Sequence, residues 1–504
     1  MVPLSDASVN DPTFSDSEQV ILGQTARIEA ANRFLLGFAL LLAVLNISCW
    51  LWMSYDGAHV GSSVILIICA YPGWHYIRHR PTRAPLFPAL MGFYGLYFAF
   101  WTFIPVDPAH SYIGLPRASY ELSAWISALG AATLVLSHRL ASGRFRLPEN
   151  RVLSILPRPS LLILAAVLWG VGIGATFLLM TKDILPGFIQ VFALISRLHL
   201  LGMGLLFVLH LERPLAPAWR ALLWGAVIPI PVILTMVTGF LAPILTLAAF
   251  LAMLYAGIRG RFPTQWFAVA ILLLLPLLVF KGEYRRITWS DGSKVTSGVS
   301  DIPKQLHLFV SVVSELIATD PSEAFDEGLT IFAQRASIHD LFAFTVDQVP
   351  ERNPFYYGLT YRDALWFFVP RLVYPAKPEN NWGNQWGRDL GLLDQDDTFT
   401  SLNLPQMIEG YLNWGIAGVL IVMALIGAIW AFLDVKTNQP GVLDHWSFIT
   451  GAVLATALLN LESNLTVVVG GVLQTAILFG LLRLMLHRFY SPHAGIIKAG
   501  FDPS

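Results

Sequence analysis

Long apolar runs recur along this chain, and each is long enough to cross a lipid bilayer. A membrane helix needs about 20 mostly apolar residues, and Phe34–Ser54, Leu161–Thr181 and Thr264–Lys281 meet that length on inspection. Runs of this kind place the expected spans at 34–54, 60–77, 86–106, 120–140, 161–181, 188–211, 219–238, 240–258, 264–281, 412–433, 446–461 and 465–487. The expected fold is therefore an all-α integral membrane protein of about twelve transmembrane helices. Composition agrees: 13% of the 504 residues are charged, about half the usual share of a soluble domain, and the mean hydropathy is +0.60. The net charge of −1 gives no reason to expect a nucleic-acid partner. Cys49 and Cys69 both sit in apolar runs, which provides neither a disulfide framework nor metal-ligand spacing. Both are read as small apolar residues in lipid.

The loops set an orientation. One side collects Arg27, Arg33, Arg78, Arg80, Arg83, Arg139, Arg144, Arg146, Arg151, Arg158, Arg213, Arg220, Arg259, Arg261, Lys436, Arg483, Arg488 and Lys498. The short loops of the other side hold Arg117 and Lys182. Basic residues stay cytoplasmic, so the expectation is a cytoplasmic tail at 1–33, helices 1–9 over 34–281, an external loop at 282–411, helices 10–12 over 412–487 and a cytoplasmic tail at 488–504. The acids Asp6, Asp11, Asp16 and Glu18 do not read as a cleavable signal, which carries positive charge there. Two joints are weak: the turn at Thr238–Gly239, preceded by Pro229 and Pro231, and the turn at Asn460–Asn464. No matched pair of broken helices marks two halves, which counts against a secondary transporter.

The loop at 282–411 holds 10 Lys/Arg and 18 Asp/Glu. A loop of this length without low complexity should fold. Leu306, Phe309, Val310, Val313 and Ile317 fall at helical spacing and predict an amphipathic helix at the membrane surface. A second helix is expected over 329–346, with Arg335 and His339 on one face and Pro350 and Pro354 ending it. Arg362–Lys377, broken by Pro370 and Pro375, should tuck against the mouth of the bundle.

Several of its residues suit phosphate chemistry or proton transfer. Arg285 and Arg286 follow the ninth span, and Arg371 and Lys377 lie in a proline-punctuated apolar stretch. Guanidinium groups offer planar, bidentate donors to phosphate oxygens; the plainer reading of Arg285 and Arg286 is an interfacial anchor. Glu409 lies just before the tenth apolar run, where partial desolvation suits a carboxylate as a general base. The alternative there is a helix-start acid favoured by the macrodipole. Arg335 and His339 serve equally as a site pair or a surface pair. Arg197, with His199, lies inside the sixth run and faces either a wet cavity or an interhelical partner. Asp394, Asp396 and Asp397 lack a metal-ligand pattern and read as a solvated acid run.

Together these residues form an ordered pattern. Arg335…His339 is followed by Val349-Pro350, by Tyr357-Gly358-Leu359-Thr360-Tyr361, by Val369-Pro370-Arg371…Tyr374-Pro375…Lys377-Pro378, by Thr400-Ser401 and by Glu409-Gly410-Tyr411-Leu412-Asn413-Trp414-Gly415-Ile416-Ala417-Gly418. The pattern covers about 85 residues and resembles the Wzy-type oligosaccharide repeat-unit polymerases of O-antigen and exopolysaccharide synthesis. Tyr374 stands where that family often has Trp, and Val369 where it often has Ile. The resemblance implies a GT-C-like fold with the large loop between helices 9 and 10. It also implies a glycosyltransferase of the bacterial cytoplasmic (inner) membrane whose substrate is an oligosaccharide on undecaprenyl diphosphate. Arg371, Arg285, Arg286 and Lys377 would hold the diphosphate, with Arg335 and Arg197 as further cations. Glu409 or His339 would take the acceptor's proton, Asp397 being a third choice of base. Tyr356, Tyr357, Tyr361, Trp366, Trp382 and Trp386 would stack on sugars. No metal and no cofactor is expected; a chain-length regulator and a flippase are the partners such an enzyme works beside. The alternatives are an O-antigen-ligase-like transferase and, in another class, a lipid-linked glycan flippase or transporter.

Overall fold

The computed structural model describes residues 16–52, 55–80, 82–104, 115–145, 156–180, 186–237, 242–263, 265–266, 337–369, 374–378, 380–438 and 444–498, with isolated positions between 303 and 314. The ninth expected span and the surface helix around 304–317 thus lie essentially outside the described residues. So do Arg285, Arg286, Arg335 and Arg371.

The described residues form helices and no strands. In chain order these are α1 (Asp16–Trp52), α2 (Gly57–His79), α3 (Leu86–Phe98) continued by a 3₁₀ turn at Phe100–Phe103, α4 (Arg117–Ser142) and α5 (Arg158–Leu179). Then come α6 (Pro186–Ser196), α7 (Leu198–Glu212), α8 (Pro217–Leu222), α9 (Pro229–Val237) and α10 (Ala242–Arg259). The loop contributes α11 (Ile338–Gln348), a 3₁₀ segment at Leu359–Phe368 and α12 (Trp382–Asp389). The chain continues with α13 (Gln406–Thr437), α14 (His445–Leu458) and α15 (Leu465–Lys498). Eight helical stretches are long and apolar enough to cross a membrane, and Leu86–Phe98, Pro243–Arg259 and His445–Leu458 are shorter apolar helices. Leu36, Leu40, Val44, Trp50 and Leu51 of α1 are exposed, as are Ile421 and Leu425 of α13. Apolar exposure on this scale belongs to a lipid-facing surface, and the protein is a helical membrane protein.

Proline and arginine explain the interruptions. Pro229 and Pro231 carry no N–H to donate, and the helix before them loosens into a π turn at Leu223–Val227. Arg197 separates α6 from α7. Its guanidinium donates to the Gly471 carbonyl at 2.8 Å and also meets the Thr475 hydroxyl, both on α15. The interhelical partner is the reading realised here: backbone and hydroxyl oxygens offset a charge that would cost about 3 kcal/mol alone at mid-membrane. Cys49 and Cys69 are buried against protein rather than lipid, with the Cys49 thiol facing the Phe103 carbonyl.

α13 packs along α4 through small residues, as membrane helices do when they approach closely. Gly130 lies against Met407 and Val419, and Gly427 lies against the Leu134 carbonyl. Ser137 donates to the Ala424 carbonyl at 2.6 Å, and His138 pairs with Asp434 at 2.8 Å. The arginine-rich loops meet at this end of the bundle. Ala84 N–H donates to Asn438 Oδ1, Arg158 reaches the Arg213 carbonyl, and Arg483 pairs with Asp444. The other end gathers the loop: His339 faces the Phe98 carbonyl, Ser119 meets Asp347, and Gln406 donates to the Asn460 carbonyl.

Candidate functional site

The tenth apolar run does not form one straight helix. Trp414 (φ −148°, ψ 27°) and Gly415 (φ 59°, ψ −143°) break α13 after Asn413. Gly415 occupies a left-handed backbone region that side-chain-bearing residues rarely enter. The two pieces fold against each other so tightly that a Cβ on Gly418 would strike the Gly410 carbonyl. Glu409 therefore sits on a short piece, 406–413, folded back on the span that follows.

A broken helix leaves carbonyls without their donors, and the loop supplies replacements. Tyr356 N–H donates to the Leu412 carbonyl at 2.8 Å, and Tyr357 N–H to the Asn413 carbonyl at 3.1 Å. Gly358 N–H donates to Asn413 Oδ1 at 2.8 Å. The bend that aims these donors needs positive φ at Tyr357 (47°) and Gly358 (86°). Asn413 Nδ2 then donates to Thr360 Oγ1 and to the Glu409 carbonyl, each at 2.8 Å. Asn413 is fully buried with its amide oxygen and nitrogen both engaged, which is how a buried amide avoids its desolvation cost.

Glu409 has no exposed surface. Its Oε2 accepts the Leu465 N–H at 2.6 Å, so it caps the start of α15 rather than of its own helix. A carboxylate at a helix N-terminus is favoured by the macrodipole. Among the described residues its Oε1 and the Tyr361 hydroxyl are buried without a close hydrogen-bond partner, and the Thr360 side chain is the polar neighbour of both. Tyr361 stacks on Trp414 with ring centroids 5.4 Å apart. Burial first, and the nearby Glu409 charge second, hold the Tyr361 phenol above its usual range.

His339 is elsewhere. It is buried on α11, with Nδ1 3.3 Å from the Phe98 carbonyl and Nε2 3.4 Å from Ser123 Oγ, and its ring stacks on Tyr120. Burial holds its pKa below the ordinary value, against the pull of Asp340 beside it. Among the described residues, none of the groups that touch His339 touches Glu409, so the two candidate bases do not form a pair. Lys377 Nζ donates to the Val369 carbonyl at 3.2 Å. Asp397 Oδ1 accepts the N–H groups of Phe399 and Thr400, and the Thr400 side chain first, with these two N–H groups after it, holds its carboxyl below the usual range. It shapes a turn. Trp382 and Trp386 are core residues of the loop, whereas Tyr357 is 74% exposed.

Thr360 and Asn413 stood in the motif without a role, and Tyr361 was expected there only as a sugar-stacking aromatic. The available signal was a polar Asn and a Gly interrupting an apolar run, which marks a break.

A family described as a domain of unknown function, DUF8712, matches residues 160–458. That stretch holds both halves of the constellation but not Leu465. No curated protein matches, and no solved structure matches.

Proposed function

We propose that this chain, which belongs to the DUF8712 family, is a membrane glycosyltransferase that polymerises lipid-diphosphate-linked oligosaccharide repeat units. In this reading twelve spans form a GT-C-like bundle, with the loop on the external face of a bacterial cytoplasmic membrane. The acceptor sugar's hydroxyl attacks the anomeric carbon of the donor. The bond to the diphosphate breaks, and undecaprenyl diphosphate leaves with the electron pair. Arg371, Arg285, Arg286 and Lys377 offset the charge that develops on it.

The supporting observation is Glu409. It is a buried carboxylate with one oxygen fixed by a backbone N–H and the other, among the described residues, without a close hydrogen-bond partner. It stands where the two halves of the polymerase-like motif meet. A carboxylate held at one oxygen can accept a proton at the other from a hydroxyl brought beside it.

The test is Glu409→Gln, supplied with lipid-linked single repeat units in membranes. The Gln amide oxygen keeps the Leu465 cap but cannot take the proton. Loss of general-base catalysis costs about 10²–10⁴-fold, so single units should accumulate and polymer should nearly vanish. The Leu465 N–H bond favours a second reading, in which Glu409 is only a cap tying α13 to α15. Near-normal polymer in Glu409→Gln would select that reading and move the base elsewhere in the loop. Arg371→Lys should restore little of what Arg371→Ala removes, because a point charge lacks the bidentate fork.

A further inference from the structure

At the arginine-rich end of the bundle, far along the chain from the loop motif, lies a cavity of about 610 Å³. It opens to the surface between the ends of α5, α7 and α10 and the start of α14. Arg158, Arg213, Arg259 and His445 line it, and among the described residues Glu212 is the only acid in its wall. That acid is engaged, since His445 Nε2 lies 2.9 Å from Glu212 Oε1. His445 Nδ1 is buried without a partner. Arg158 is held in place by its Nη2, which donates to the Leu209 carbonyl at 2.9 Å and to the Arg213 carbonyl at 2.6 Å. Arg213 and Arg259 are exposed at the rim.

From this arrangement we infer that the cavity binds the phosphate headgroup of an anionic phospholipid. Basic loop residues that only set orientation need no common cavity. Here three guanidinium groups converge on one, with the acid Glu212 already paired. Guanidinium groups bind phosphate through paired, charge-assisted hydrogen bonds, and basic pockets at the ends of membrane helices suit lipid headgroups. The position argues for a lipid over a soluble ion. The cavity lies where the apolar stretches Arg158–Leu179 and Phe188–Glu212 begin and end, and Leu161, Leu211 and Ile258 line it beside the cations. A phosphodiester at that level would keep its acyl chains against the apolar helix faces. This inference does not depend on the glycosyltransferase reading.

The experiment uses the full chain in nanodiscs of phosphatidylglycerol or of phosphatidylcholine, read by melting temperature and by lipid retained in native mass spectrometry. The wild-type protein should melt higher in phosphatidylglycerol and carry that lipid through delipidation. Replacing Arg213 and Arg259 together by Ala should weaken retention by about tenfold or more. Arg144→Ala, at the same end but outside the cavity, should change nothing. Arg213→Lys with Arg259→Lys keeps the charges and guards against a misfolded Ala pair. It should fold and lose retention several-fold, because the fork is gone. Unchanged retention in both double variants would overturn the site. Inorganic phosphate added to the phosphatidylcholine discs should give no protection; protection equal to that of phosphatidylglycerol would overturn the lipid and assign a soluble phosphate instead.

Discussion

Asn413 and Gly358 are joined across 55 positions of sequence by one hydrogen bond, 2.8 Å from the Gly358 N–H to Asn413 Oδ1. This bond, with the two from Tyr356 and Tyr357 N–H, fastens the loop onto the break in α13 and fixes where Glu409 and Tyr361 stand. The two halves of the motif are one structural unit.

Replacing Asn413 by Ala should strip the part-buried Gly358 N–H of its acceptor and the buried Thr360 of its donor. Each orphaned buried group costs about 1–3 kcal/mol, so a loss of about 3 kcal/mol is expected. Limited proteolysis should cut within 349–369 faster in the variant. Asn413→Asp retains the acceptor for Gly358 and should lose less. Equal proteolysis of all three proteins would mean that the bond does not hold the loop.

Gly415→Ala should be worse than its size suggests. Its backbone lies at φ 59°, where side-chain-bearing residues pay about 1–3 kcal/mol, and the added methyl would meet the Phe355 ring at 3.3 Å. A drop in thermal stability is expected. Gly418→Ala should drop stability as well, because its methyl would strike the Gly410 carbonyl. A Gly415→Ala protein as stable as wild type would refute the broken helix.

Glu409 can be tested as a cap without any substrate. Glu409→Ala removes the acceptor of the Leu465 N–H, and loss of a cap costs about 1 kcal/mol. Glu409→Gln keeps an acceptor and should melt closer to wild type than Ala does. The order wild type, Gln, Ala in melting temperature checks this; Gln melting below Ala would contradict the cap.

Acid should destabilise the protein through His339. Burial lowers its pKa in the folded state, so below its ordinary value of 6.5 the unfolded chain takes up a proton that the folded chain resists. Stability then falls as pH drops beneath about 6.5. Asp340 works in the opposite sense, since burial raises its pKa, and comparison with a His339 variant isolates the histidine. Melting temperatures of wild type and His339→Asn between pH 7.5 and 5.5 decide it. The wild type should show the steeper fall, and parallel curves would exclude His339 as the source.

Much of this architecture was written in the order of residues. Apolar runs of membrane length fixed the helices, and each expected run outside 264–281 holds a described helix. Pro229 and Pro231 marked one interruption and Pro350 the end of α11, whereas the break at Arg197 falls inside a run expected to be continuous. Some of the loops grouped by their arginines meet in pairs, Ala84 with Asn438 and Arg158 with Arg213. The pattern from Tyr357 to Gly418 singled out Glu409. Hydrophobic period and composition report which face of a helix is apolar, and that is local information.

What the tertiary structure alone decided is whom each polar group meets. Glu409 caps α15 through Leu465, 56 positions away, rather than its own helix. Arg197 is satisfied by α15, 274 positions away. His339 rests between α3 and α4 instead of beside Glu409. Asn413 holds a break that a continuous apolar run conceals. A hydrogen bond needs its partner within about 3 Å, and closure of the chain over such separations is set by helix packing, which no stretch of sequence carries alone.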